Sequence, residues 1–218
     1  MGRDHQRLRP AALTGMLAAV LALALPAASS AALFAIGGLG KSAAISLPET
    51  VDTAFWLTAR KGGAAAAVSH TGLVRVIRLR GCARPGPAGQ APLTQIHFQE
   101  LVPGAGGAVT VKSTSGPLNM PICGRGATAA TVTSFVPGNL CAVTGGYVAF
   151  NVEGGYGPGF PHGVRYEVFG RAAGAVTDSY TNGGGTNNGT TLTGTAHAGL
   201  RLLLQIVLGT GHQAGVCG

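Results

Sequence analysis

Apolar residues in this chain recur at every second position within short runs, and glycine, proline and asparagine separate the runs. "TAFWLTAR" (53–60) and "GLVRVIRLRG" (72–81) are the first two. In "PLTQIHFQEL" (92–101), Leu93, Gln95, His97 and Gln99 alternate with Thr94, Ile96 and Phe98. "GAVTVKS" (107–113), "PLNMPI" (117–122), "ATVTSFV" (130–136), "GYVAFNV" (146–152), "GVRYEVFG" (163–170), "GAVTDSY" (174–180), "TTLTG" (190–194) and "GLRLLLQIVLG" (199–209) follow. Runs of Val, Ile, Thr and aromatics with a period of two, bounded by turn formers, are strand signals. The last run sets Leu200, Leu202, Leu204, Ile206 and Leu208 on one face and Arg201 and Gln205 on the other, which predicts a central strand. Only "GGAAAAVS" (62–69) could be helical, and it is short.

About ten strands with no interleaved helices predict an all-β fold, an antiparallel β-sandwich of jelly-roll or Ig-like type. No internal repeat of fixed period is present.

The N-terminus has a different pattern. "MGRDHQRLR" carries three arginines, and the 23 residues that follow it carry no charge. A basic head, an apolar stretch and then small residues predict an export signal, cut after Ser30 or Ala31. An uncleaved anchor is the competing reading, because no charge occurs between Arg9 and Lys41. Residues 1–31 are thus expected to be a signal peptide, 32–46 a Gly/Ala-rich linker, and 47–218 the sandwich domain. The predicted localisation is extracellular or at the cell surface, and the membrane is a partner only if the leader stays.

Composition sharpens this picture. The whole chain has 15 Lys and Arg against 7 Asp and Glu, and 37 glycines. Charge is sparse and β-branched residues are many, the reverse of a disordered chain. Cys82, Cys123, Cys141 and Cys217 all follow the leader, and an even number in an oxidising compartment predicts two disulfides. Three pairings are open; Cys123–Cys141 with Cys82–Cys217 is the one favoured by loop length.

"AIGGLGKS" (35–42) fits the phosphate-loop spacing with Gly40, Lys41 and Ser42. Such a loop needs a helix behind it to aim N–H groups at phosphate. Pro48 follows too soon for one, so no nucleotide is expected. The arginines of "VRVIRLRGCAR", Arg75, Arg78, Arg80 and Arg84, reach one surface if the strand bulges near Val76–Ile77. That basic patch would suit anionic envelope polymers or lipid headgroups, and otherwise it guards a sheet edge. Nucleic acid is not expected, because no exposed aromatics are interleaved.

Two late loops are the candidate ligand sites. "EGGYGPGFPHG" (153–163) offers Tyr156 and Phe160, rings that could stack on sugar faces or fold inward. "DSYTNGGGTNNGTT" (178–191) offers Asp178, Asn182, Asn187 and Asn188, whose polar groups suit sugar hydroxyls. Asp178 with carbonyl oxygens could hold Ca²⁺, but a lone carboxylate is too few, and neither metal nor cofactor is expected. A wide hairpin explains the second loop equally well. Asn188-Gly189-Thr190 is also a glycosylation sequon.

Catalysis is poorly supplied. No nucleophile-elbow or zinc-helix motif occurs, and only Glu153 with Glu167 or Asp178 suggests a carboxylate pair for glycosidic cleavage. His97 is placed on a strand, and His70, His162, His197 and His212 in loops.

"NLCAVTGGYVAFNVEGGYG", followed by "GVRYEVFG" and "LRLLLQIVLGTG", resembles a pattern of uncharacterised exported β-sandwich proteins of high-GC actinobacteria. In that pattern a V-x-x-G-D-Y-V-x-F-N-like strand precedes a glycine-rich loop, and an L-L-L-Q-x-x-L strand closes the sandwich. The resemblance spans about residues 75–217. It implies export and the sandwich and carries no activity or catalytic residue. Gly146 stands where the pattern has an acid. The expected function is an exported, non-catalytic sandwich that binds extracellular or cell-wall carbohydrate through the late loops. The alternatives are a structural surface protein packing on itself or the envelope, and a glycan-cleaving enzyme.

Overall fold

In the computed structural model of the chain, the structure describes residues 33–41, 43, 45–47, 52–85, 93–124, 128–153, 164–181, 186–209 and 217. The leader falls outside them. Among the described residues, fifteen strands form in chain order. The first eight are β1 Leu33–Gly37, β2 Thr53–Ala59, β3 Gly72–Arg80, β4 Cys82–Ala83, β5 Gln95–Pro103, β6 Val109–Thr114, β7 Leu118–Asn119 and β8 Val132–Phe135. The others are β9 Cys141–Ala142, β10 Tyr147–Val152, β11 Tyr166–Glu167, β12 Phe169–Thr181, β13 Thr191–Leu192, β14 Thr195–Leu202 and β15 Leu204–Gly209. Ten of them are four residues or longer, as the period-two runs predict. Among the described residues the only helical pieces are two 3-10 turns, and "GGAAAAVS" contributes to one of these rather than to a helix.

Two antiparallel sheets face each other. One runs β1-β15-β3-β8, with β9 also on β3; the other runs β13-β6-β5-β10-β2-β12-β14, with β7 on β5. A short β11-β4 pair lies beside them. The fold is therefore an all-β sandwich.

The interior follows from the alternation. Ile77 and Leu79 of β3 meet Phe98, Phe150 and Phe55 of the larger sheet, and all are buried. The rings pack edge-on, with centroids 5.1 Å apart for Phe55–Phe169 and 5.3 Å for Phe150–Tyr166. This geometry lets the positive ring edge meet the negative face. The larger sheet also buries part of its outer face. Ala54, Trp56, Leu101, Val111 and Ala149 form a second cluster, covered by Leu192 as the chain returns to pair β13 with β6.

Three expectations are corrected. Residues 32–46 are not merely a linker: β1 pairs along its whole length with β15, and Ile45 bridges Phe169. Its glycines hid this, yet Gly37 is needed at the strand's end, where φ is +90° and a Cβ would lie 2.3 Å from the Leu204 carbonyl oxygen. The run 199–209 is two strands, not one. The chain crosses between sheets at Leu203, whose N–H donates to Val168 and whose carbonyl accepts from Arg80 N–H. Both halves face one interior, so Leu200, Leu202, Leu204, Ile206 and Leu208 are all buried. Of the two, β15 is central while β14 is an edge.

The disulfides are Cys82–Cys123 and Cys141–Cys217, not the pairing favoured by loop length. Backbone bonds decide the first: Ala83 N–H donates to Pro121, and Cys123 N–H to Ala83, laying 121–123 along β4. Cys141 pairs with Leu73, which on its other edge pairs with Gly209, so the C-terminal segment leaves close by. Two disulfides and no free cysteine fit an oxidising compartment.

Candidate functional site

A positively charged cleft lies where the chain changes sheets. After β1, Gly38 and Gly40 turn the chain (φ +61° at Gly40) and bring Lys41 to the rim. On β12 the register slips between Arg171 and Val176, and Gly174, at φ +74°, packs against the 3-10 turn of Lys61–Gly63. A Cβ at Gly174 would come within 2.7 Å of the Gly63 nitrogen. Opposite, Arg201 pairs with Gly170. These segments enclose a cleft of about 810 Å³, lined by Lys41, Lys61, Arg171 and Arg201, with Leu203 and Ile45 as its apolar part.

Four cations line the cleft, and no acid does among the described residues. The described carboxylates are all engaged elsewhere. Asp52 is held by Asn151 and Thr186, Glu100 by Ser113, Glu153 by His97, Glu167 by Arg84 and Asp178 by Thr58. Lys41, Lys61 and Arg171 are exposed and Arg201 is half-buried. None of the four has a hydrogen-bond or ion-pair partner among the described residues. Arg201 Nε is buried without an acceptor. Like charges gathered without counter-charge create a positive potential that attracts anions.

The arginines singled out from sequence lie mostly on a different face. β3 bulges at Arg75, since Val207 pairs Val76 and Leu208 pairs Val74. That is one position earlier than expected, and it turns Val76 outward along with Arg75, Arg78 and Arg80. Several of these charges are already used. Arg78 donates to Gln205 (3.1 Å), Arg80 to the carbonyls of Leu39 (3.1 Å) and Ala130, and Arg84 pairs with Glu167.

Tyr156, Phe160 and Asn182 lie outside the described residues. Asn188 accepts a hydrogen bond from Thr114 (2.9 Å) at the β6 edge, and Asn187 turns the backbone through its carbonyl. Asp178 sits on β12, four strand spacings from β6, roughly 19 Å away. The structure therefore does not bring Asp178 together with Asn187 and Asn188. Thr186 anchors this loop to the fold: its N–H and hydroxyl both donate to Asp52, at 2.6 and 2.5 Å.

Glu153 projects from the end of β10 and meets His97 Nε2 at 2.6 Å, while His97 Nδ1 faces the Ser115 carbonyl at 2.7 Å. Both ring nitrogens are engaged, which fixes the orientation of the ring. By strand register Asp178 is roughly 16 Å from Glu153, beyond the 5–10 Å that glycosidic cleavage uses. Glu167 is bound to Arg84. Burial pushes the Asp178 carboxyl above its ordinary range, against the pull of Thr58 and His197; the latter lies on β14 rather than in a loop. Burial also raises Glu100, opposed by Ser113 and Lys112. Cys82, Cys123 and Glu167 cluster closely, but the two sulfurs are bonded to each other.

Lys41 is itself a bend and Ile45 a bridge, with no helix among the described residues to complete a phosphate loop. Sequence reasoning rejected the phosphate loop at Lys41 and passed over Lys41, Lys61, Arg171 and Arg201 as a cation cluster. Their only signal was the shortage of acids, which cannot say where cations gather. Compared with protein-family models, curated proteins and solved structures, the chain matches none.

Proposed function

We propose that this is an exported binding protein that holds an anionic extracellular or cell-wall polysaccharide in the basic cleft. The convergence of Lys41, Lys61, Arg171 and Arg201 with no acid among the described residues beside them carries the reading. Two disulfides support an extracellular setting. The cleft is large enough for a sugar unit, and the half-buried Ile45 offers apolar surface to its C–H face. Tyr156, Phe160 and the 178–191 loop remain proposed further contacts for the same polymer. The test is retention on immobilised anionic polysaccharide and on a neutral dextran. Wild type is expected to be retained only on the former and to elute with salt, and a Lys61→Glu, Arg171→Glu variant is expected to flow through. Equal behaviour of the two proteins would remove the cleft from the account.

Packing against copies of itself is a second reading, favoured by one observation. A groove of about 470 Å³ runs between Pro117, Leu118, Val136 and Leu140, and Val136 is 71% exposed. Sedimentation that depends on concentration, and is abolished in Val136→Lys, would support it.

A further inference from the structure

We propose that the half-buried end of the cleft is a phosphate site built on Arg201, so that the polymer held there is phosphate-bearing rather than a polyuronate. This rests on the anion-binding reading above. Arg201 is the innermost of the four cations, and its Nε is buried without an acceptor. No nitrogen of this half-buried guanidinium has a protein acceptor among the described residues, so the donors it turns towards the cleft are free to take an anion there.

The local backbone is shaped to keep the guanidinium there. Gly38 has no side chain to compete, and a Cβ at that position would lie 2.2 Å from Arg201 Nη2. Gly40 likewise leaves room for Leu203, whose methyl would be 3.0 Å from an added Cβ. The glycines that imitate a phosphate loop in sequence thus act differently here, by making space for an arginine from another strand.

The cations reach the cleft from four separate segments: the turn after β1, the 3-10 turn, β12 and β14. A planar carboxylate presents two oxygens in one plane, which one guanidinium fork can saturate. A tetrahedral phosphate presents oxygens in several directions and can accept from the fork and from rim ammonium groups together. Cations converging from several sides, with the only fork of restricted freedom at the bottom, suit the second shape. Free phosphate, a polymer phosphodiester and a lipid headgroup share this chemistry; the polymer is the source proposed, because the cleft is open and far larger than one ion.

The experiment uses the full mature chain with inorganic phosphate, poly(glycerol phosphate), polygalacturonate and phosphatidylglycerol vesicles. Inorganic phosphate is expected to shift the Arg201 Nε–H resonance in a nitrogen–proton spectrum. Poly(glycerol phosphate) is expected to bind about tenfold tighter than polygalacturonate at equal anion concentration, the worth of one charge-assisted hydrogen bond. Arg201→Lys, which keeps the charge and loses the fork, should erase that preference while leaving polyanion binding, and Gly38→Ala should do the same by displacing the guanidinium. Unchanged disulfides and circular dichroism would show both variants folded. An immobile Arg201 resonance, or a preference that survives Arg201→Lys, would overturn the phosphate site. Vesicles bound in place of the polymer would overturn the polymer as its source. Binding of no polyanion at all would instead sink the anion-binding reading on which it rests.

Discussion

Asp52 sits at φ +65°, a left-handed conformation unusual outside glycine, and is nearly buried. The reason is its position at the centre of a polar cluster. One oxygen accepts from Asn151 Nδ2 and the Thr186 hydroxyl, the other from the Thr186 N–H, and Thr186 in turn accepts from Gln99. Asp52→Asn tolerates the same backbone but sets an NH₂ against a donor. A loss of about 2–3 kcal/mol in urea unfolding is expected, with the 186–190 loop loosened first. Glu100 behaves in the opposite way. Burial raises its carboxyl above the ordinary 4.5, so the folded chain holds the proton more tightly than the unfolded one. That contribution is present below the unfolded value and is lost as pH rises through the folded value. Glu100→Gln should therefore be at least as stable as wild type at pH 7 and lose that advantage near pH 4, measured by urea midpoints. Asp178 adds to the same trend.

Glycines divide into those that fill space and those that the elements require. Gly81, between β3 and β4, has φ +134°, and a Cβ there would lie 1.8 Å from the Glu167 carbonyl oxygen. Gly62 is also left-handed (φ +82°), but nothing lies within 4 Å of its would-be Cβ. Gly81→Ala should cost more than about 3 kcal/mol and Gly62→Ala about 1–2 kcal/mol, a contrast readable in thermal unfolding. β1 makes a second element-scale prediction. A chain truncated to start at Gly38 loses the ladder to β15, and its β15 amides facing that edge should exchange hydrogen much faster. The strands themselves were legible because Val, Ile and aromatics at period two mark a half-buried surface, and β2, β3, β5 and β10 lie where the pattern puts them. β1 was not legible, because Gly37, Gly38 and Gly40 read as linker until a partner strand is known. The break at Leu203 was hidden for another reason: two sheets facing one interior leave the alternation unbroken.

For the molecule as a whole, the disulfides close loops of 41 and 76 residues in sequence separation. Each is worth on the order of 4 kcal/mol through the unfolded chain. Non-reducing peptide maps should recover Cys82–Cys123 and Cys141–Cys217, and recovery of Cys123–Cys141 would contradict the fold around β4 and β9. The pairing was illegible in sequence because loop length does not report which strands are neighbours. The cleft was illegible for the same reason, since Lys41, Lys61, Arg171 and Arg201 come together only through the sheet crossing and the β12 bulge. Four cations with no acid beside them among the described residues repel one another, so the site is held at some expense of stability. Arg171→Gln should leave unfolding unchanged or slightly stabilised while weakening polyanion binding, which separates a binding role from a structural one. The salt dependence of poly(glycerol phosphate) affinity tests the central claim most directly. Binding should weaken steeply as salt rises, and the slope should flatten stepwise as Lys41, Lys61 and Arg171 are neutralised in turn. A slope indifferent to those three substitutions would contradict the account.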